Sequence, residues 1–309
     1  IANTSGAVLL ELLNDILDLS KIEAGQLQLE HIPFDPAKLA EETASLLSQN
    51  AGATVELTCL IDQQLPSQVL GDPTRVRQII SNLLSNALKF THNGRVDLRL
   101  SASPNGIRIC VQDTGIGISA DQRDKIFQPF AQAEIGTTRQ YGGTGLGLTL
   151  TRTLCEAMHG QLTLTSEEQR GSQFCVELPL AQQQPAKAQR PLQGRVLALL
   201  DAHSGLAELL ATLLPSWGLD YQLAEQPSAQ QYPAAEVLLC SDPTQLSELR
   251  RQCNTPLLLI CRYGDFLDAE QASALEPFTQ LARPVTRQQL QKALGQALQQ
   301  QSSVQPAPP

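Results

Sequence analysis

The residues in this chain that could do chemistry are concentrated in three short segments between Asn82 and Leu148. The first carries two asparagines and a lysine, the second an aspartate followed by two glycines, and the third four glycines. They read NLLSNALKF at 82–90, DTGIGI at 113–118 and GGTGLGL at 142–148. Each segment alone is weak evidence, but the three in this order predict a pocket that holds ATP with a magnesium ion.

The first segment offers ligands for a metal ion and a phosphate. Asn86 lies one helical turn after Asn82, and an amide oxygen is a neutral, hard ligand suited to a magnesium ion that already carries phosphate oxygens. Lys89, three residues further on, can reach a phosphate. The alternative for an asparagine pair in a helix is two polar surface residues.

The second segment is suited to a nucleotide base. Asp113 follows a predicted apolar strand, and a carboxylate at a strand end can accept a proton from the adenine amino group. Gly115 and Gly117 would let the backbone pass close to a flat base. A simple turn aspartate is the alternative.

The third segment is suited to phosphate. Glycines before a helix free backbone N–H groups to face an anion, and the helix N-terminus adds positive potential. The residues concerned are Gly143, Thr144, Gly145, Leu146 and Gly147. No Gly-Lys-Ser/Thr follows, which excludes a P-loop, and no apolar strand directly precedes, which excludes a Rossmann turn.

A further segment separates the second and third. It carries Phe127 and Phe130 and then a polar stretch at 134–140, which predicts a mobile lid over the nucleotide. Arg139 in that stretch would either meet a phosphate or remain solvated.

These segments need elements to position them. A helix is predicted at 8–25, where two adjacent apolar stripes favour a bundle or a dimer over a helix that caps its own domain. Further helices are predicted at 36–49, 72–90 and 146–158, and strands at 55–59, 95–101, 106–112, 161–166 and 172–178. This is an α+β sandwich, with one sheet and its helices on one face.

The rest of the chain forms a second domain between linkers. Polar, proline-bearing stretches at 181–193 and 300–309 are predicted linkers. Between them, at 194–299, continuous apolar runs of four to six residues predict strands buried on both faces of a parallel sheet, in a small doubly wound α/β fold.

Composition excludes several classes of protein. The formal net charge of −9 argues against sequence-independent nucleic-acid binding. No run of eighteen apolar residues is present, so no membrane segment is expected in this chain. The seven cysteines have no Cys-x-x-Cys spacing, and we expect buried free thiols in a reducing cytoplasm.

At this point the motifs resemble a family, the sensor histidine kinases. The resemblance matches 82–86 to the N box, 113–117 to the G1 box, 127–130 to the F box and 143–147 to the G2 box. The first helix looks like the second helix of the dimerisation and phosphotransfer stem, so the likeness covers about residues 1–180. It implies a Bergerat-type (GHKL-type) ATP-binding sandwich at 33–180, a dimeric four-helix stem that includes 1–32, and transfer of the ATP γ-phosphoryl group to a histidine.

The resemblance also assigns the site. The predicted nucleotide-binding residues are Asn82, Asn86, Lys89, Asp113, Gly115, Gly117, Phe127, Arg139, Gly143, Thr144, Gly145, Leu146 and Gly147, with Asn86 as the magnesium ligand. Hydrolytic relatives of the gyrase, Hsp90 and MutL types carry a glutamate one turn before the magnesium asparagine. Asn82 stands there in this chain and cannot act as a base, which favours a kinase over an ATPase.

The phosphoacceptor histidine has no counterpart among these residues. The family places it before an acidic residue on the first stem helix, whereas the four histidines here precede other residue types. They are His31, His92, His159 and His203. We therefore expect the chain to bind ATP but not to phosphorylate itself, with the acceptor outside the chain.

The second domain resembles a response-regulator receiver that has lost its chemistry. A working receiver needs paired acids after its first strand, an aspartate after its third, a hydroxyl residue after its fourth and a lysine before a proline after its fifth. In this chain those positions hold Asp201 with Ala202, Ser241 with Asp242, Cys261, and Arg283 before Pro284. A degenerate receiver for docking or spacing is expected, and a functional acceptor at Asp242 is the alternative.

This order of parts is that of tripartite hybrid kinases of the BarA/GacS type. The resemblance implies a homodimer through the stem, a histidine-containing stem as the acceptor, and a downstream receiver, phosphotransfer domain and response regulator. It also implies the cytoplasmic portion of a bacterial inner-membrane protein. The alternatives are a pseudokinase scaffold that regulates another kinase and an ATPase of related fold.

Overall fold

The structure, a computed structural model, describes residues 13, 16–22, 24–52, 54–130, 145–186, 191–225 and 234–302. The chain divides into two compact units, Ile1–Lys187 and Ala188–Pro309, and each is described by itself. Within the described residues, no helix is both long enough and apolar enough to cross a membrane.

The N-terminal unit alternates helices and strands. Its helices are α1 (residues 16–22), α2 (Pro36–Leu47), α3 (Pro73–Phe90) and α4 (Gly147–Ala157). Its strands are β1 (Ile32–Phe34), β2 (Val55–Ile61), β3 (Gln68–Gly71), β4 (Gly94–Ser103), β5 (Gly106–Asp113), β6 (Gln161–Glu167), β7 (Gly171–Leu178) and β8 (Ala181–Gln184). Single 3-10 turns lie at Ser48–Asn50 and Lys125–Phe127.

The main sheet has five strands in the order β2-β4-β5-β7-β6. The pair β2 and β4 is parallel and the other pairs are antiparallel. Apolar side chains of the sheet pack with α2, α3 and α4 in one core, which includes Ile79, Leu83, Leu98, Ile109 and Leu154. The predicted α+β sandwich is confirmed.

Helix α3 is well specified by its sequence. The Asp72 side chain accepts hydrogen bonds from the N–H groups of Thr74 and Arg75, each at 3.0 Å, and Pro73 occupies the first helical position. The buried face runs from Val76 through Leu84 to Leu88. The opposite face is left for the polar residues of the first segment.

Two sequence predictions for this unit are wrong in part. The linker predicted from 181 opens with a strand, because Ala181–Gln184 pairs antiparallel with β3 in a small β1-β3-β8 sheet. Cys110 and Cys175 are joined in a disulfide, because they stand directly opposite each other in the antiparallel β5–β7 ladder. The other five cysteines are free, and all but the partly exposed Cys253 are buried as predicted.

The C-terminal unit is a parallel α/β sheet with the strand order β10-β9-β11-β12-β13. Its strands are β9 (Arg195–Leu199), β10 (Asp220–Ala224), β11 (Val237–Cys240), β12 (Leu257–Cys261) and β13 (Phe278–Ala282). Its helices are α5 (Gly205–Ser216), α6 (Leu246–Gln252), α7 (Ala269–Ser273) and α8 (Arg287–Ser302).

The buried runs of this unit are placed as their composition predicts. Strands β11 and β12 are buried along their whole length, and the strand order is that of doubly wound sheets. The linker predicted at 300–309 begins too early, since α8 continues to Ser302.

Candidate functional site

One face of α3 carries a continuous polar stripe. Arg75, Gln78, Asn82, Asn86 and Lys89 follow one another at spacings of three and four residues, which places them on one side of the helix. All five side chains are partly exposed, whereas the core side chains of α3 lie on the other face. The helix therefore presents predicted ligands of the first segment together.

The first and third segments meet through Asn82. Its Nδ2 donates to the carbonyl of Gly147 at 3.2 Å and lies 3.4 Å from Oγ1 of Thr151. Thr151 Oγ1 in turn donates to the same carbonyl at 2.8 Å. Asn82 thus fixes the start of α4 against α3, a role that the sequence did not predict for it.

The first and second segments meet at the end of α3. The N–H of Ile116 donates to the Phe90 carbonyl at 3.3 Å. A Cβ at Gly115 would lie 2.3 Å from that carbonyl oxygen, so only glycine fits there. Gly117 has φ +67° and lies under the Glu167 carbonyl, where a Cβ would come within 2.0 Å. The close approach of other backbone segments therefore explains why both positions require glycine.

Asp113 is held at the end of β5 with only 7% of its surface exposed. Its Oδ1 accepts hydrogen bonds from the N–H groups of Gly115 at 2.9 Å and Ser172 at 3.3 Å. Burial raises the pKa of this carboxyl above its usual value, although the two amide bonds oppose the shift. Because both amides use Oδ1, the carboxylate is fixed with Oδ2 on its other side.

Two serines that the sequence did not single out complete this corner. Ser166 Oγ accepts from the N–H of Ile118 at 2.8 Å and donates to the Gly171 carbonyl at 3.0 Å. Ser166 and Ser172 exchange a hydrogen bond of 2.9 Å. Ser172 pairs with Asp113 across β5 and β7, so only the strand register brings these residues together.

Phe127 anchors the segment that precedes the third motif. Thr149 Oγ1 donates to the Phe127 carbonyl at 3.0 Å. The Phe127 and Phe174 rings pack edge to face, with their centroids 6.5 Å apart. The Arg152 guanidinium lies 5.8 Å from the Phe127 ring centroid. Phe127 thus packs at the base of the predicted lid.

The beginning of α4 has no capping side chain at its N-cap residue. Gly145 has φ +69°, Leu146 is buried, and the helix starts at Gly147 with no side-chain hydrogen bond from the N-cap residue Leu146. The N–H groups at a helix N-terminus carry positive potential, which suits an anion. Arg139, Gly143 and Thr144 lie outside the described residues.

Lys89 stands at the far end of the polar stripe. Its Nζ lies 4.8 Å from the Phe90 ring centroid, and burial lowers the pKa of the ammonium group. The site thus joins a buried carboxylate, neutral amide side chains, a lysine and a helix N-terminus. These groups fit a nucleotide with its base at Asp113 and its phosphates near α4, and Asn86 fits a magnesium ion shared with the phosphates.

Comparison with known proteins shows what this chain is related to. Residues 71–182 match the family described as "Histidine kinase-, DNA gyrase B-, and HSP90-like ATPase". The Sensor protein GacS of Pseudomonas syringae pv. syringae is 35% identical over 94% of this chain and 35% of its own length. This chain is related to the sensor histidine kinases.

Further relatives agree. The Sensor histidine kinase RcsC of Escherichia coli (strain K12) is 38% identical over 78% of this chain and 25% of its own length. The crystal structure of full-length ShkA in complex with AMPPNP has a TM-score of 0.78 and 28% identity, and the match covers 99% of this chain and 64% of ShkA. This chain thus spans about a third or a quarter of the length of the curated proteins it matches.

The predicted receiver positions Asp242, Arg283 and Asp201 make hydrogen bonds within the C-terminal unit. Asp242 Oδ1 accepts from the N–H and the Oγ1 of Thr244, at 2.9 and 2.7 Å, and Oδ2 accepts from Gln245 at 3.3 Å. Cys261 is buried, and burial raises the pKa of its thiol to about 11. Arg283 donates to the carbonyl of Ile260 at 3.1 Å, and Asp201 accepts from the N–H of His203 at 2.8 Å.

Proposed function

We propose that this chain is the ATP-binding catalytic portion of a hybrid sensor histidine kinase, and that it transfers the ATP γ-phosphoryl group to a histidine outside the chain. One observation carries the proposal. The first segment is hydrogen-bonded to the third through Asn82 and Gly147 and to the second through Phe90 and Ile116, which supports one pocket that a carboxylate, an amide ligand and a helix N-terminus serve together.

Each group has a role in this pocket. Asp113 accepts from the adenine amino group through Oδ2, while Oδ1 stays bound to the protein backbone. Asn86 holds a magnesium ion, which when bound neutralises phosphate charge. Lys89 and the N–H groups that start α4 bind the phosphate oxygens, so that phosphoryl transfer depends on positioning and on charge neutralisation.

The contacts of Asn82 favour a kinase over a hydrolase. Its amide nitrogen donates to the Gly147 carbonyl, and an amide has no basic group that could take a proton from water. Water near the phosphates is therefore not activated from this position. The four histidines are all exposed and lie outside helices, which is unlike an acceptor on a stem helix.

We further propose the surroundings of the reaction. The stem helices form the homodimer and carry the acceptor histidine, and a receiver, a phosphotransfer domain and a response regulator take the phosphoryl group onward. The N-terminal stem part covers 1–32 and the catalytic domain 33–180, and a degenerate receiver-like domain covers 194–299. The whole protein would be anchored in a bacterial inner membrane, with this portion in the cytoplasm.

Labelling with ATP tests this function. The chain alone and the same chain extended upstream through its stem are incubated with γ-labelled ATP and magnesium. We expect acid-labile label on the extended protein only. Label on the present chain would contradict the position of the acceptor, and release of ADP and phosphate without any labelled histidine would support an ATPase instead.

A further inference from the structure

The stem helix α1 is tied to α3 by a small polar cluster. Asp18 Oδ2 accepts a hydrogen bond from Arg75 Nη1 at 2.7 Å and another from Gln78 Nε2 at 3.1 Å. Arg75 Nη1 also lies 2.8 Å from Gln78 Oε1, so the three side chains interlock. We call Asp18, Arg75 and Gln78 the clasp.

The clasp is well shielded from solvent. The Arg75 and Asp18 side chains are only 19% and 17% exposed. Burial alone would raise the pKa of Asp18, but hydrogen bonds from Arg75 and Gln78 outweigh burial and lower it. An ion pair of this kind differs from a surface pair such as Arg77 with Glu42, whose side chains are 44% and 49% exposed.

The clasp bridges a connection that has no regular structure of its own. The described part of α1 ends at residue 22, Gly25 in the following turn has φ +66°, and residues 26–31 lead to β1 without helix or strand. Among the described residues, this part of the chain is also held by the bond of 3.1 Å from the Glu30 N–H to Asp72 Oδ2 and by the packing of Ile22, Leu27 and Leu29 on the core. The clasp adds a charged contact between α1 and α3, which is placed to limit rotation of α1 about 26–31.

The clasp shares its helix face with the nucleotide site. Arg75 and Gln78 begin the polar stripe of α3 that continues through Asn82 and Asn86 to Lys89. A rigid helix therefore joins the contact with the stem to the groups proposed to hold magnesium and phosphate. The position of α1 is set relative to those groups by one element.

We propose that Asp18, Arg75 and Gln78 are positioning residues, which fix the stem helix relative to the nucleotide so that the γ-phosphoryl group is delivered to the stem from one defined geometry. This inference rests on the proposed function. Phosphoryl transfer depends on alignment of the reacting atoms, and a small misplacement from a distant change lowers its rate strongly. The clasp touches neither ATP nor acceptor and acts through α3.

Paired variants test the clasp. In the full-length protein, Arg75→Ala removes the cation, Arg75→Lys keeps the charge without the fork, and Arg77→Ala is the control on the same helix. We expect Arg75→Ala to lower the rate of phosphoryl transfer at saturating ATP about tenfold, with the KM for ATP changed by less than about two-fold. Arg75→Lys should fall between, and Arg77→Ala should match the wild type.

Three results would overturn the inference. The first is a wild-type transfer rate in Arg75→Ala. The second is an increased rate, which would mean that the clasp restrains transfer. The third is a loss of ATP affinity as large as the loss of rate, which would make Arg75 part of the binding site. Hydrogen exchange in the present chain tests the contact between α1 and α3 without using the phosphoryl-transfer reaction. Residues 16–22 should exchange faster in Arg75→Ala but not in Arg77→Ala, and unchanged exchange would contradict the clasp.

The two arms separate the two proposals. A wild-type protein that transfers no phosphoryl group to histidine contradicts the proposed function, whatever the exchange shows. If the wild type transfers the phosphoryl group, and the Arg75→Ala variant exchanges faster at 16–22 but transfers at the normal rate, only the positioning role of the clasp is contradicted. The proposed function then stands.

Discussion

Each unit has an aspartate at or just beyond the end of a strand, and the two are held in opposite ways. Asp113, the last residue of β5, is buried, bonds to two backbone amides through one oxygen, and has a raised pKa. Asp242, after β11, is partly exposed, and its two carboxylate oxygens accept hydrogen bonds from Thr244 and Gln245. Hydrogen bonds from Thr244 lower the pKa of Asp242 despite the opposing effect of burial.

The difference separates a binding group from a structural one. Asp242 stabilises its own turn as an N-cap, and its ionised form is favoured by the fold. Asp113 is a charge that the fold disfavours by burial, with one oxygen held and the other directed elsewhere. A buried ionisable group that is kept at a cost to stability is a candidate for function. The comparison therefore supports the proposal that the nucleotide binds to the first unit.

The largest expected effect separates the two aspartates directly. In Asp113→Asn the side-chain oxygen keeps the two backbone amides, so the new NH₂ takes the place of Oδ2 and faces the adenine amino group donor to donor. We expect ATP affinity to fall about 100-fold by titration calorimetry. Asp242→Asn is the matched control and should leave it unchanged. Equal affinities in both variants would remove Asp113 from the site.

The next effect concerns magnesium. Asn86→Ala removes the proposed metal ligand without disturbing the buried face of α3. We expect about tenfold weaker ATP binding with magnesium present and little change in its absence. Ser85→Ala, an exposed neighbour on the same helix, is the control. A loss that is the same with and without magnesium would show that Asn86 contacts the nucleotide rather than the metal.

A third prediction concerns the link between α3 and α4. Asn82→Asp replaces the amide donor that faces the Gly147 carbonyl with an acceptor of nearly the same shape. We expect the free energy of unfolding to fall by about 1–3 kcal/mol, measured by urea denaturation. ATP should also protect the variant less. An unchanged midpoint would mean that Asn82 does not hold the two segments together.

A smaller loss is expected in the C-terminal unit. Asp242→Ala removes an N-cap and should destabilise this unit by about 1 kcal/mol, with no effect on ATP binding. The wild-type unit should take no label from acetyl phosphate, because both oxygens of Asp242 are engaged within its own turn. Label on Asp242 would overturn the proposal that this receiver-like domain is degenerate.

The smallest effect is a pH dependence. The native pKa of Asp113 lies above its unfolded value of about 3.9, so its contribution to stability is greatest below that pH and is lost as the pH rises through the native pKa. Asp113→Asn lacks this dependence. Its stability relative to the wild type should therefore increase between pH 4 and pH 7 in denaturant titrations. A constant difference would contradict the burial of the charge.

Local signals predicted much of this molecule. Asp72 and Pro73 marked the start of α3, and the continuous apolar runs marked buried strands such as β11 and β12. Such features depend on neighbours in the sequence and on periodicity, which a single chain displays.

What the sequence did not predict depends on register and on contacts between distant residues. The Ser172 amide reaches Asp113, and Cys110 reaches Cys175, because β5 and β7 pair in one register out of several. The clasp joins residues 57 positions apart, and β8 required a partner strand at 68–70. Periodicity predicts the face of an element on which a side chain lies, but it does not predict which residue of a neighbouring element the side chain contacts.

The central claim is that this pocket donates the γ-phosphoryl group of ATP to a histidine rather than to water. The most direct measurement is the ratio of histidine-bound label to free phosphate released by the stem-extended protein with γ-labelled ATP and magnesium. We predict acid-labile, alkali-stable label that disappears in Asp113→Asn, with little free phosphate. Steady release of phosphate without labelled histidine would contradict the claim.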